Sequence, residues 1–180
     1  MSIARQRALA VARALERSQL DLLAYVPSNT IAPIIERFRG PQAESLPRAF
    51  PVAREEEAVG IIGGANLAGR RGAIVMQDNG FGNCLTALAT FGVAYHVPLP
   101  IVANTRGGLG EYNSMIHTFS AGVPEMLRAI DIPVHGLDRR QAPDDWEATV
   151  HEAVRHAWMT HRPVVVLMEF WDGAHGGDRT

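Results

Sequence analysis

From Pro163 to Glu169 the chain is Val-rich and apolar, without the alternation of apolar and polar residues that a half-wet strand shows. A strand of this kind is covered on both faces, so helices must lie above and below the sheet that contains it. Shorter apolar runs of similar character occur at residues 22–26, 49–52, 73–76, 99–103 and 134–136. Between them lie stretches of helical composition. Residues 2–17 form an N-terminal helix, and Thr30 caps a helix running towards Arg39. Further helices cover residues 55–68, 84–93 and 125–130, and one runs from Asp144 to about His161. Residues 40–47 read as a loop, residues 104–120 as a long polar connection, and residues 171–180 as a loose tail. Strands alternating with helices predict an α/β fold in three layers, with a mainly parallel sheet of about six strands and helices on both faces. Residues 1–180 are expected to form a single domain.

Composition removes several classes of function. The chain is 47% hydrophobic and 20% charged, with a net charge of -2, values of an ordinary globular protein. It has no basic excess for a nucleic-acid groove, and its apolar runs fall far short of the roughly 20 residues of a membrane span. The single cysteine, Cys84, excludes an internal disulfide and a CxxC metal site. The expectation is a cytoplasmic protein with no metal ligands of its own. The sequence contains no lysine, so a phosphate-binding loop of the Walker type is excluded.

In open parallel sheets, ligands bind beyond the carboxyl ends of the strands. The segments to weigh are therefore residues 27–30, 77–83 and 104–120, with Glu55 just after a strand end. Glu55-Glu56-Glu57-Ala58 opens a helix that soon becomes small and apolar, with Gly60, Gly63 and Gly64 inside it. Each interior glycine costs up to about 1 kcal/mol, a cost that close packing against the sheet or another chain would offset. Glu56 and Glu57 read as first-turn residues that complement the helix dipole. Gln77-Asp78-Asn79-Gly80-Phe81-Gly82-Asn83 places polar side chains and two glycines in one turn. Asn104-Thr105-Arg106-Gly107-Gly108 is similar in kind, with Arg106 as an anion anchor. His117 is the histidine in a rim position. His151, His156 and His161 read as surface groups, and His96 as a packing residue.

Four of these motifs together resemble the pyrimidine-binding domain of thiamine-diphosphate-dependent decarboxylases, in particular the sulfopyruvate and phosphonopyruvate decarboxylase group. They are Val26-Pro27-Ser28-Asn29, Glu55-Glu56-Glu57-Ala58, Gln77 to Asn83, and Arg106-Gly107, with His117 near a polar family position. In order and spacing they cover about two-thirds of the chain. The resemblance implies the thiamine-diphosphate-binding fold and a catalytic carboxyl, Glu55, that hydrogen-bonds the cofactor's pyrimidine N1′ from a largely apolar pocket. It implies cofactor contacts from Gln77, Gly80 and Asn83, with Gln77 also within the reach of substrate. Ser28, Asn29, Arg106 and His117 are the implied substrate-binding residues. Ser28-Asn29 stands where the sulfopyruvate enzymes carry Asp-Ser, and Asp78-Asn79 where the family has Asn-Ser; both departures put the substrate in question.

The family's diphosphate- and Mg2+-binding Gly-Asp-Gly motif does not occur in these 180 residues. The resemblance therefore implies a separate diphosphate-binding beta subunit, an assembly of two plus two chains or larger, and decarboxylation of a 2-oxo acid only by the pair. The alternatives are a carboligating, acetolactate-synthase-like subunit and a non-catalytic, flavodoxin-like nucleotide-binding or regulatory subunit.

Overall fold

The structure is a computed structural model that describes residues 1–39, 47–108, 111 and 113–170. The expected loop over 40–47, apart from its last residue, and the expected tail over 171–180 lie outside the described residues.

Six strands form one sheet: β1 (Leu22–Tyr25), β2 (Arg48–Pro51), β3 (Gly72–Gln77), β4 (Leu99–Asn104), β5 (Val134–Leu137) and β6 (Pro163–Met168). Their spatial order is β2-β1-β3-β4-β6-β5, and every neighbouring pair is parallel. The expected α/β architecture is thus present, with a wholly parallel sheet. Successive side chains of a strand point to opposite faces, and the core divides accordingly. Leu23, Tyr25, Ala73, Val75, Val102, Val164 and Val166 pack on one face beneath helices α1 (Ile3–Arg17) and α6 (Pro143–Thr160). Ala24, Ile74, Met76, Ile101, Ala103, Val165 and Leu167 pack on the other, beneath α3 (Glu55–Leu67), α4 (Phe81–Ala87) and α5 (Ser114–Ala129). Because β3, β4 and β6 are covered on both faces, their sequences show no alternation.

On the α1 side, the Arg7 guanidinium is buried, bonds the Arg139 and Gln141 carbonyls, and lies 5.3 Å from the centre of the Trp146 ring. On the other side, α4 continues into a π-helical turn, Leu88–Val93, whose Phe91 ring lies against Gly63 of α3. A side chain at residue 63 would collide with that ring, so this glycine is required for the two helices to approach. Gly60 and Gly64 face outward with no atom near the place of a Cβ.

Three local expectations are corrected. Thr30 does not cap a helix. The turn after β1 leads into the short helix α2 (Ala32–Ile35), whose N-cap is Ile31 and which tightens into a 3-10 turn at Glu36–Phe38. Residues 104–120 are not one long connection, because α5 begins at Ser114 and runs sixteen residues through Pro124. Asn113 caps it, its side-chain oxygen accepting the Met115 amide at 3.2 Å. His96 is exposed at φ 53° in the turn before β4, outside the core.

Candidate active site

The sheet order reverses its direction of growth at β1 and β3, and crevices in doubly wound sheets open at such a switch, beyond the carboxyl ends of the strands. Two turns flank it. After β1 come Pro27, Ser28, Asn29 and Thr30; after β3 comes a 3-10 turn at Asp78–Gly80 that runs directly into α4. The Gln77 amide spans the switch, with Nε2 donating to Thr30 Oγ1 at 3.0 Å, while Thr30 Oγ1 lies 3.0 Å from Ser28 Oγ. Thr30 thus links two of the sequence-selected residues, a role the sequence did not give it.

Of the three glutamates that open α3, only Glu55 turns inward; it is 8% exposed. Glu56 pairs with Arg54 at the surface, and Glu57 accepts the Ala53 amide at 3.0 Å, closing the helix entrance. Glu55 Oε2 accepts a hydrogen bond from Asn83 Nδ2 at 2.8 Å. Gly80 lies against the same carboxyl group: a Cβ there would stand 2.5 Å from Glu55 Oε1 and 2.6 Å from Cδ. Glu55 therefore forms one cluster with Gly80 and Asn83, which lie 25 and 28 positions further along the chain. Beneath it the Cys84 thiol is buried, and its pKa is pushed up to about 12 by burial, with the Glu55 charge adding to the effect. Such a thiol is not a nucleophile at neutral pH.

A second cluster lies on the β4 side. The Arg106 guanidinium forms a two-pronged ion pair with Glu111, Nε to Oε2 at 2.7 Å and Nη2 to Oε1 at 3.0 Å. Glu111 Oε1 also accepts the Asn113 amide, and His117 Nε2 lies 3.1 Å from the Glu111 carbonyl oxygen. Asp78 joins this cluster to the β3 turn. It is fully buried, accepting the Arg106 amide at 3.0 Å and the Ser120 hydroxyl at 3.1 Å. Burial pushes its carboxyl above the usual aspartate range, against the opposing pull of those hydrogen bonds. Sequence reasoning singled out Arg106 and His117 but not Glu111 or Ser120, and it gave Asp78 no role. The polar character of residues 104–120 was the only signal for Glu111 and Ser120.

The Arg106 hydrogen bonds hold the Glu111 carboxyl down to about 2, against 4.5 ordinarily. A depressed carboxylate stabilises the fold above its unfolded pKa, and that contribution is lost as pH falls from 4.5 towards 2. The expected loss is at most about 3 kcal/mol at about 1.4 kcal/mol per unit. Denaturant unfolding at pH 6 and pH 3 checks this. The stability difference between the parent and Glu111→Gln should shrink at the lower pH, and a constant difference would refute it.

No family model matches the chain. The sulfopyruvate decarboxylase alpha subunit of Methanothermobacter thermautotrophicus is 27% identical over 164 residues, covering 90% of this chain and 96% of the relative. That of Methanococcus maripaludis is 27% identical over 165 residues, 91% and 95% of the two chains. This chain is a homologue of the sulfopyruvate decarboxylase alpha subunits. A sulfopyruvate decarboxylase of Methanosarcina acetivorans is 33% identical over 113 residues, 63% of this chain but only 28% of that longer protein. Among solved structures, the 2-oxoglutarate:ferredoxin oxidoreductase of Magnetococcus marinus superposes with a TM-score of 0.63 at 16% identity. The match covers 92% of this chain and 28% of that one, a likeness of fold. The homology to the alpha subunits spans all four motifs by which the sequence resembles their group.

Proposed function

We propose that the chain is the pyrimidine-binding alpha subunit of a heteromeric, thiamine-diphosphate-dependent 2-oxo acid decarboxylase. The observation that carries this reading is the Glu55 cluster. It consists of a carboxyl buried at the mouth of α3, fixed at one oxygen by Asn83, with a glycine where any side chain would strike it. These residues fit an aminopyrimidine, which needs one carboxyl oxygen as hydrogen-bond donor and a flat space beside it. Oε2 is engaged by Asn83, so Oε1 is the atom assigned to hold the proton that meets the ring nitrogen. A positioned proton donor of this kind is worth about 10²–10⁴ in rate.

When bound, the cofactor supplies the electron sink for breaking the bond to CO2. The chain supplies position. On this reading Ser28, Asn29, Gln77 and His117 are the substrate-side hydrogen bonders, and Arg106, its charge already matched by Glu111, borders the substrate from the β4 side. Asp78 holds the two sides in register.

The beta subunit binds the diphosphate and Mg2+, a reading supported by the family resemblance together with the lack of a Gly-Asp-Gly motif in these 180 residues. Its docking face includes the outer side of α3, where Gly60 and Gly64 sit beside Ile61 and Leu67, 42% and 59% exposed. The assembly is two plus two chains or larger. Among the described residues no helix is long and apolar enough to cross a membrane.

The test is co-expression with a companion polypeptide bearing Gly-Asp-Gly and a downstream Asn, followed by calorimetry with thiamine diphosphate and Mg2+. The pair should bind the cofactor and release CO2 and an aldehyde from a 2-oxo acid, while the isolated chain does neither. Formation of a new C–C bond from pyruvate would favour the carboligating alternative. Binding of a nucleotide by the chain alone, with indifference to thiamine diphosphate, would overturn the proposal.

A further inference from the structure

Resting on the decarboxylase reading, we infer that Asp78 is a positioning residue for the Glu55 carboxyl: it anchors the β3 turn to the turn after β4 and to α5, and that anchor fixes where the Glu55 oxygens stand. The anchored segment carries two contacts that locate those oxygens. Asp78, Asn79 and Gly80 form one 3-10 turn that runs without a break into α4. Gly80 lies against Glu55 Oε1, and Asn83, in the first turn of α4, donates to Oε2 at 2.8 Å. A shift of the turn therefore moves both contacts together.

The anchor has little slack. Asp78 is fully buried, and its two oxygens are divided between two elements: Oδ2 accepts the Arg106 amide at 3.0 Å, and Oδ1 accepts the Ser120 hydroxyl at 3.1 Å. Around it the backbones approach closely. Gly107 has φ 75°, and a Cβ there would stand 3.0 Å from His117 Cα and 3.1 Å from Ser120 Cβ. A Cβ at residue 82 would stand 3.0 Å from Phe119 Cζ. These two glycines let the turn after β4 and the start of α4 close on α5 around the Asp78 carboxyl. An interior packed this tightly transmits a displacement instead of absorbing it.

The two donors differ in what they demand. The Arg106 amide points one way and needs an acceptor, whereas the Ser120 hydroxyl can donate or accept by rotating. Asn, the residue that the resemblance places at this position, offers one oxygen and one N–H group. Those serve both partners once the hydroxyl turns round. Ala offers neither, and it leaves the Arg106 amide without its acceptor. The β3 turn then loses its tie to both neighbours, and Gly80 and Asn83 move with it relative to Glu55.

The test uses the reconstituted pair and whichever of pyruvate, 3-phenyl-2-oxopropanoate, 3-sulfopyruvate and 3-phosphonopyruvate the parent decarboxylates fastest. Asp78→Ala should lower kcat about a hundredfold, the cost of a displacement of about 1 Å at a reacting group. KM should change less than about threefold, since the loss falls on the chemical step. Asp78→Asn should recover kcat to within about tenfold of the parent. In the Glu55→Gln background no carboxyl remains to be placed, and Asp78→Ala should lower kcat by less than about threefold. If Asp78→Ala does not assemble with its partner, Ser120→Ala takes its place, because it keeps the carboxylate and removes one donor. Its expected effect is a fall of about tenfold in the parent and of less than about twofold beside Glu55→Gln. A readout apart from turnover is the Asn83 side-chain amide resonances of the pair, which report the bond to Glu55. They should move in the Ala variant and return to the parent positions in Asp78→Asn. Unmoved Asn83 resonances, an Asn variant as damaged as the Ala variant, or an undiminished loss beside Glu55→Gln would each overturn the role of Asp78 and leave the decarboxylase reading standing. Release of CO2 from none of the four acids would overturn both.

Discussion

Replacing Glu55 by Gln is expected to reduce decarboxylation by the pair about a thousandfold while leaving the fold in place. Gln keeps the shape of the side chain, and its one amide oxygen can take the place of Glu55 Oε2, which accepts from Asn83 Nδ2 at 2.8 Å. Neither the packing at the mouth of α3 nor the hydrogen bond is therefore forfeited. The loss is the exchangeable proton, and general acid–base groups contribute about 10²–10⁴ in rate. The thermal midpoint should stay within a few degrees of the parent, which separates a chemical role from a structural one. Steady-state CO2 release together with a thermal scan decides the matter. Activity within about tenfold of the parent, a barrier change of roughly 1.4 kcal/mol, would remove Glu55 from the mechanism.

Gly80→Ala should be nearly as damaging, for a different reason. The backbone at residue 80 is ordinary, φ -65°, so glycine is not needed for conformation. It is needed for space, because a methyl group would stand 2.5 Å from Glu55 Oε1. The β3 turn is tied down through Asp78 to Arg106 and Ser120, whereas the Glu55 carboxyl, at the end of a long side chain, is held among the described residues by the single Asn83 hydrogen bond. Glu55 is therefore the group that gives way. A displacement of about 1 Å at a reacting group costs on the order of a hundredfold in rate, and the overpacking costs about 1–3 kcal/mol of stability. Because both substitutions act on one carboxyl, their effects on rate should not add. Gly80→Ala in the Glu55→Gln background should lower activity less than threefold further. A full hundredfold drop in that background would show that Gly80 acts independently of Glu55.

The two clusters were legible to different extents. Glu55 stood out because it lies just after a strand end and heads the Glu55-Glu56-Glu57-Ala58 motif of the resemblance, and the inward turn of that side chain follows from its place at the first position of α3. Arg106 was legible as a cation near a strand end, but not its engagement with Glu111, since the intervening residues carry no periodic pattern. The start of α5 was missed because Ser114, Thr118, Ser120, Gly122 and Pro124 are poor or neutral helix formers. Burial of Val123 and Leu127 against the sheet, and the Ser120–Asp78 bond, override that local preference. Thr30 looked like a helix cap because its residue type suits that role. The short helix that follows is held instead by packing of Ile31, Ile34 and Ile35 in the core.

By itself the sequence determined the layered α/β architecture, because uniformly apolar strands demand cover on both faces and helix-forming segments alternate with them. It also determined which four segments carry polar groups to the carboxyl edge. Only the tertiary structure decided which of those groups meet. The bonds that make the site join residues 28, 47 and 42 positions apart, as in Glu55–Asn83, Thr30–Gln77 and Asp78–Ser120. Local patterning reports whether a residue is buried; pairing across loops depends on strand order and on where each crossover returns the chain, which no local period encodes.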